Sequence, residues 1–99
     1  MIVPTIGRVV HYRPSSYDKA AGMDIYDDKT PLTANIVYVW SDTCINLVVF
    51  DHGGHSFART SVPINETSGA SAWAEWMDFQ KGQAAKTEAA EAALKAATG

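Results

Sequence analysis

The run from 35 to 62 constrains this chain more than any other stretch. NIVYVW, SDTC, INLVVF, DHGGH and SFARTSV follow one another as strand, turn, strand, turn and strand. Ile36, Tyr38 and Trp40 alternate with Val37, Val39 and Ser41, the period of an extended strand with two distinct faces. Residues 41–44 supply a polar turn around Asp42 and Thr43. Residues 45–50, INLVVF, form the most apolar strand. Asp51-His52-Gly53-Gly54 is a hairpin signal, because paired glycines tolerate the positive φ of a tight turn. Two antiparallel hairpins in series make a meander.

The remainder fits around that block. Residues 6–13, IGRVVHYR, supply a first strand, closed by Pro14 because proline cannot continue a ladder. Period two puts Arg8, Val10 and Tyr12 on one face and Val9, His11 and Arg13 on the other. Residues 14–34 read as a long loop with one helical turn near 17–22, and a loop of that length in a small domain is commonly functional. Residues 63–71 form a linker, and 72–79, AWAEWMDF, a closing strand with a turn of helix before Gly82. Residues 83–97 are helical by propensity, with Glu91 and Lys95 in the favourable i,i+4 order. Leu94 is the one large apolar residue there, so this helix has little to bury. The expected fold is mainly β: a small SH3-like or OB-like barrel of about five antiparallel strands, with a long 14–34 loop and a C-terminal Ala-rich helix. A ferredoxin-like mixed fold is disfavoured because no core-facing helix is visible. The barrel domain is expected over 1–82 and the helical tail over 83–99.

Composition narrows the function classes. The chain has 99 residues, enough for one domain, and 46% of them are hydrophobic. Eight alanines fall in the last sixteen positions, so the core must come from residues before about 80. Net charge is −3 and the eight Lys and Arg residues are scattered. Binding to a nucleic-acid polymer wants clustered cations and is not expected. Cys44 is the single cysteine, which fits a reducing cytoplasm. No segment reads as a membrane span, and the opening MIVPTIGR lacks the features of a signal peptide.

Catalytic and metal signatures do not stand out. His52 and His55 flank two glycines beside Asp51, with Cys44 some way off, but a metal site needs three or four converging ligands. No metal, cofactor or catalytic residue is expected, and Cys44 reads as a structural thiol. Asp24, Asp27 and Asp28 lack an EF-hand spacing and read as solvated loop carboxylates. Arg8, Arg13 and Arg59 lie in or at the ends of strands, where a guanidinium fork can hold phosphate. Tyr12, Tyr38, Trp40, Phe50, Phe57, Trp73 and Trp76 are many rings for one small core. Rings beside arginines can stack a nucleobase, and the same rings can serve a core and a subunit interface.

The run Gly7-Arg8-Val9-Val10-His11-Tyr12, then Val39-Trp40-Ser41-Asp42-Thr43, Asn46-Leu47, Thr60-Ser61-Val62 and a late Trp76 resembles a group of small tailed-phage proteins. Their pattern is G-R-x-V-H-Y, V-W-x-D-T, a following Asn, T-S-V and a closing aromatic-Trp segment. The resemblance covers most of residues 6–80. Small phage proteins of this sort include sponges that sequester nucleotide signals of host defences such as Thoeris and CBASS. The resemblance therefore implies a homo-oligomer in the cytoplasm of an infected host cell, binding a cyclic dinucleotide or cyclic ADP-ribose type ligand without cleaving it. On that reading Trp40 or Tyr12 stacks the base, Arg8 and Arg59 meet phosphates, and His11, Asn46, Thr60 and Ser61 contact ribose and base edges. The alternatives are a phage interaction or virion-associated protein with no small ligand, and a hydrolase using His11, His52 or His55.

Overall fold

The computed structural model describes residues 2–98, with side chains for all of these except 89 and 91–98. Five antiparallel strands form a curled half-barrel: β1 Val9–Arg13, β2 Leu32–Ser41, β3 Cys44–Phe50, β4 Ser56–Pro63 and β5 Trp73–Glu75. A short helix α1, Ser16–Ala20, lies in the β1–β2 connection, and α2, Asp78–Thr98, ends the chain. Spatial order is β4-β3-β2-β1-β5. The first four strands are thus a meander, and β5 returns to the free side of β1. That order is consistent with the small barrel-like fold expected and lacks the Greek-key connection of an OB-type barrel.

The core lies on the inner face. Val10 and Tyr12 of β1, Leu32, Ala34 and Ile36 of β2, and Ile45, Leu47 and Val49 of β3 alternate inward at period two. Met23, Val62, Ile64, Ala74 and Trp76 close the ends. Each buried Val, Leu, Ile or Met side chain here stabilises the fold by about 1.5–3 kcal/mol, the two alanines by less.

Two irregularities bend the sheet. Between β3 and β4, Ile45 faces Val62 and Leu47 faces Arg59, so Asn46 opposes both Thr60 and Ser61. This is a β-bulge, and Ser61 takes up its turn at φ 53. The Asn46 side-chain oxygen accepts from the Ser61 backbone N–H at 2.9 Å and from Trp40 Nε1 at 2.9 Å. One amide therefore clamps three strands where β2 also shifts register.

The loop and the tail depart from expectation at their ends. β2 begins at Leu32, so the long connection spans 14–31. α2 starts at Asp78 rather than at 83, and Gly82 lies inside it, so the helix crosses the expected 82/83 boundary. Gln80 supports the early start: its Oε1 accepts the Met77 N–H at 2.8 Å, the half of a capping box supplied from the third helical position. Gln80 Nε2 also donates to the Val9 carbonyl at 2.7 Å and ties the helix to β1. The Glu91–Lys95 pair and Leu94 lie outside the residues whose side chains are described.

Asn65 is a further hinge point, at φ 66. Its Nδ2 donates to the carbonyls of Ile2 and Asp42 at 2.9 and 2.8 Å, and its Oδ1 accepts from Trp76 Nε1 at 2.9 Å. Asn65→Ala removes these bonds and leaves Trp76, 6% exposed, without its partner. We expect a loss of about 1–2 kcal/mol in urea unfolding.

Candidate ligand-binding clefts

The connection from β1 to β2 is pinned to the barrel by a buried carboxylate. Ser15 caps α1 and Asp18 completes a capping box with it, the S-x-x-D pattern of a helix start. Asp18 is only 1% exposed. Its Oδ2 accepts from Tyr12 Oη at 2.7 Å and from the Ser15 N–H at 2.8 Å, and its Oδ1 accepts from Arg59 Nε at 2.6 Å. Helix α1 is thereby fastened to β4, a sheet edge. Burial alone would push the Asp18 carboxyl up, but the Ser15 N–H, the Tyr12 hydroxyl and the Arg59 guanidinium outweigh it and hold it below the usual carboxylate range. Burial, and after it Asp18, pushes the Tyr12 phenol well above its ordinary value. Asp18 raises Arg59 against that residue's own burial.

A second carboxylate fastens the other end of the same connection. Asp51, 6% exposed, accepts from the backbone N–H groups of Asp24 at 3.0 Å and His55 at 2.8 Å. The Asp24 carbonyl in turn accepts from the His52 N–H at 2.9 Å. Burial opposes ionisation of Asp51, yet those N–H donors keep its carboxyl below the usual range. The Asp51 N–H also donates to the His55 carbonyl at 2.9 Å, and the Gly54 N–H to the Asp51 carbonyl at 3.0 Å, which closes the β3–β4 turn with Gly54 at φ 84.

Held at both ends, the connection walls a cleft of about 590 Å³ against the start of β5. Arg13, Lys19, Ser15, Ser16, Thr30, Tyr26, Trp73, Asp27 and Asp28 line it, with Pro14 and Ile25. Arg13 Nε pairs with Glu75 Oε1 and Arg13 Nη1 donates to the Lys29 carbonyl at 2.7 Å, so the guanidinium is oriented before any ligand arrives. Lys19 has no ion-pair partner among the described residues. Tyr26 is 72% exposed, its ring 5.4 Å from that of His52. Asp27 Oδ1 accepts from the N–H groups of Thr30 and Lys29 at 2.7 and 2.9 Å, which holds its carboxyl low. Cations, ring faces and hydroxyls thus share one concavity of the size that small ligands occupy.

The residues expected to form a site do not converge on one cleft. Tyr12, Arg59, Thr60 and Ser61 line a second cavity, of about 450 Å³, between β4 and residues 69–72. Tyr12 is 2% exposed and presents no free face for stacking. Arg59 spends Nε on Asp18 and Nη1 on the Ala58 carbonyl, and its buried Nη2 is left without a hydrogen-bond partner beside that cavity. Asn46 holds the bulge beside that cavity. Trp40 lies outside it, 61% exposed, its indole fixed by Asn46 and set edge-on to Tyr38 at 4.7 Å. Arg8 sits over the Trp76 ring at 5.4 Å and lines a separate hollow with Phe79 and Gln80. His11 lines a small hollow with Arg13, Glu75 and Lys81. His52 and His55 are exposed at the β3–β4 turn.

Sequence reasoning missed Asp18, Asp51 and the 590 Å³ cleft. The Ser15-x-x-Asp18 capping pattern was the one local signal for the first of these. Cys44 is a free, half-buried thiol. No metal-ligating cluster is present among the described residues, and no described helix is long and apolar enough to cross a membrane. Comparison with models of known protein families, with curated proteins and with solved structures finds no match to this chain.

Proposed function

We propose that this chain is a non-enzymatic binding module that captures a small nucleotide, of the cyclic dinucleotide or cyclic ADP-ribose type, and holds it uncleaved. One observation carries the reading: Arg13, Lys19, Tyr26, Trp73, Ser15, Ser16 and Thr30 line a single cleft. The cations suit a phosphate, the rings a base, and the hydroxyls a ribose. On this reading the ligand sits on the β1–β2 connection and β5, away from Arg8, Trp40 and Asn46. The resemblance to small tailed-phage proteins supplies the biological side, sequestration of an immune signal in an infected host cell. A homo-oligomer belongs to the same reading, supported by Val37, Tyr38 and Trp40, which leave apolar surface exposed on β2.

A docking protein without a small ligand is the second reading. The observation that favours it is Trp40, exposed yet held in one orientation by Asn46 and Tyr38, as a preformed anchor would be. Mass spectrometry of small molecules released by heat from protein purified out of cells making such signals separates the readings. Capture predicts an intact nucleotide in the released fraction. A cleaved product indicates a hydrolase, and an empty fraction contradicts capture.

A further inference from the structure

The 590 Å³ cleft carries two carboxylates opposite its two cations, and this balance bears on which nucleotide it accepts. The inference rests on the nucleotide reading above and narrows it. We propose that the site selects a guanine nucleotide with a single phosphate charge per nucleotide unit, with Asp28 as the residue that reads the base.

The charge balance comes first. Arg13 is already committed in part to Glu75 and to the Lys29 carbonyl, and Lys19 is the one cation in the cleft with no ion pair among the described residues. Asp27 and Asp28 cancel the formal charge of the two cations. A triphosphate brings its charges into a cleft with no net positive field and meets carboxylates there. A cyclic phosphodiester carries a single charge and needs one strong contact, which Lys19 and the remaining Arg13 donors supply.

The base edge comes second. Asp27 spends Oδ1 on the Lys29 and Thr30 N–H groups. Asp28 makes no hydrogen bond or ion pair among the described residues, so both of its oxygens are open. An ionised carboxylate only accepts hydrogen bonds. Guanine offers two adjacent N–H donors on its pairing edge, N1–H and the 2-amino group, and these match a carboxylate bidentately. Adenine offers one amino donor beside the bare N1 acceptor, which a carboxylate repels. Tyr26 and Trp73 supply ring faces for either purine, so stacking does not discriminate and Asp28 does. Between the signal types considered above, this favours a guanine-bearing cyclic nucleotide over one of the ADP-ribose type.

The test is calorimetric titration of the full chain with 3′,5′-cyclic GMP, 3′,5′-cyclic AMP and GTP, repeated with Asp28→Asn. Asp28 is exposed in the loop, so the variant is expected to keep the wild-type melting temperature. We expect cyclic GMP to bind at least about ten-fold more tightly than cyclic AMP and GTP, the discrimination a good bidentate base contact provides. Asp28→Asn should bring cyclic GMP and cyclic AMP to similar affinity. Equal binding of cyclic GMP and cyclic AMP by the wild type, or a guanine preference that survives Asp28→Asn, overturns the assignment but leaves nucleotide capture standing. GTP binding more tightly than cyclic GMP overturns the charge argument. No binding of any of the three overturns the guanine assignment, and the nucleotide reading falls with it if cyclic di-GMP and cyclic ADP-ribose also give flat titrations.

Discussion

Asp18→Ala is expected to cost about 3–5 kcal/mol of folding stability, because it strands the Arg59 guanidinium and the Tyr12 hydroxyl in a place water barely reaches. For a domain with about 5–15 kcal/mol in total, that removes a large share. Arg59→Met should cost a similar amount by leaving the carboxylate unpaired. The double variant should cost less than the sum, since with both partners gone neither charge is left stranded. Urea unfolding of the four proteins measures this.

The same pin sets a pH dependence. The folded carboxyl of Asp18 is held below its unfolded value near 3.9, so its stabilisation is complete above about pH 5 and is lost as pH falls through the folded value. Asp18→Ala should therefore show a flatter fall in stability between about pH 5 and 2 than the wild type. Asp51, also depressed, accounts for part of the slope that remains. Tyr12 acts in the opposite sense. Its folded value is raised, so its contribution is intact below about pH 10 and fades as pH rises beyond that, when the unfolded phenol ionises first.

The second large effect is on binding. Tyr26→Ala should weaken nucleotide affinity about ten- to one-hundred-fold, the usual worth of one stacked base. Tyr26 packs on little besides His52, so the melting temperature should hardly move. Lys19→Glu should weaken affinity comparably by reversing the one cation without an ion pair in the cleft. Arg8→Ala serves as the contrast: its guanidinium lies over Trp76 and outside the cleft, so affinity should be unchanged. A loss with Arg8→Ala and none with Tyr26→Ala would return the site to the residues that the phage resemblance implies.

Particular residues show what sequence reasoning reaches in this chain. The alternation from 36 to 50 and the Gly53-Gly54 turn are local signals, and the meander follows from them. Tyr12 shares the face of Val10 as period two requires, but that face is the core, so the ring expected to stack a base is buried. Asp18 is different. Ser15-x-x-Asp18 announces a helix cap, but its partner Arg59 lies 41 residues away, and no local pattern records that meeting. Asn46, Thr60 and Ser61 stand together at a bulge, which needs a two-against-one register that period-two reading does not foresee. Asn65 lies in what reads as a plain linker and is a three-bond hub, because its left-handed backbone appears only in three dimensions. The cleft went unseen for a similar reason: its walls come from the connection with the least periodicity, and only the fastenings at Asp18 and Asp51 give it shape.

The most direct measurement is chemical-shift mapping by NMR of the full chain with a cyclic nucleotide. The account predicts shifts concentrated at Arg13, Lys19, Tyr26, Asp28 and Trp73, with the amides near Trp40 and Arg8 undisturbed. Shifts confined to the Trp40 or Arg8 neighbourhoods, or none at millimolar ligand, would contradict it.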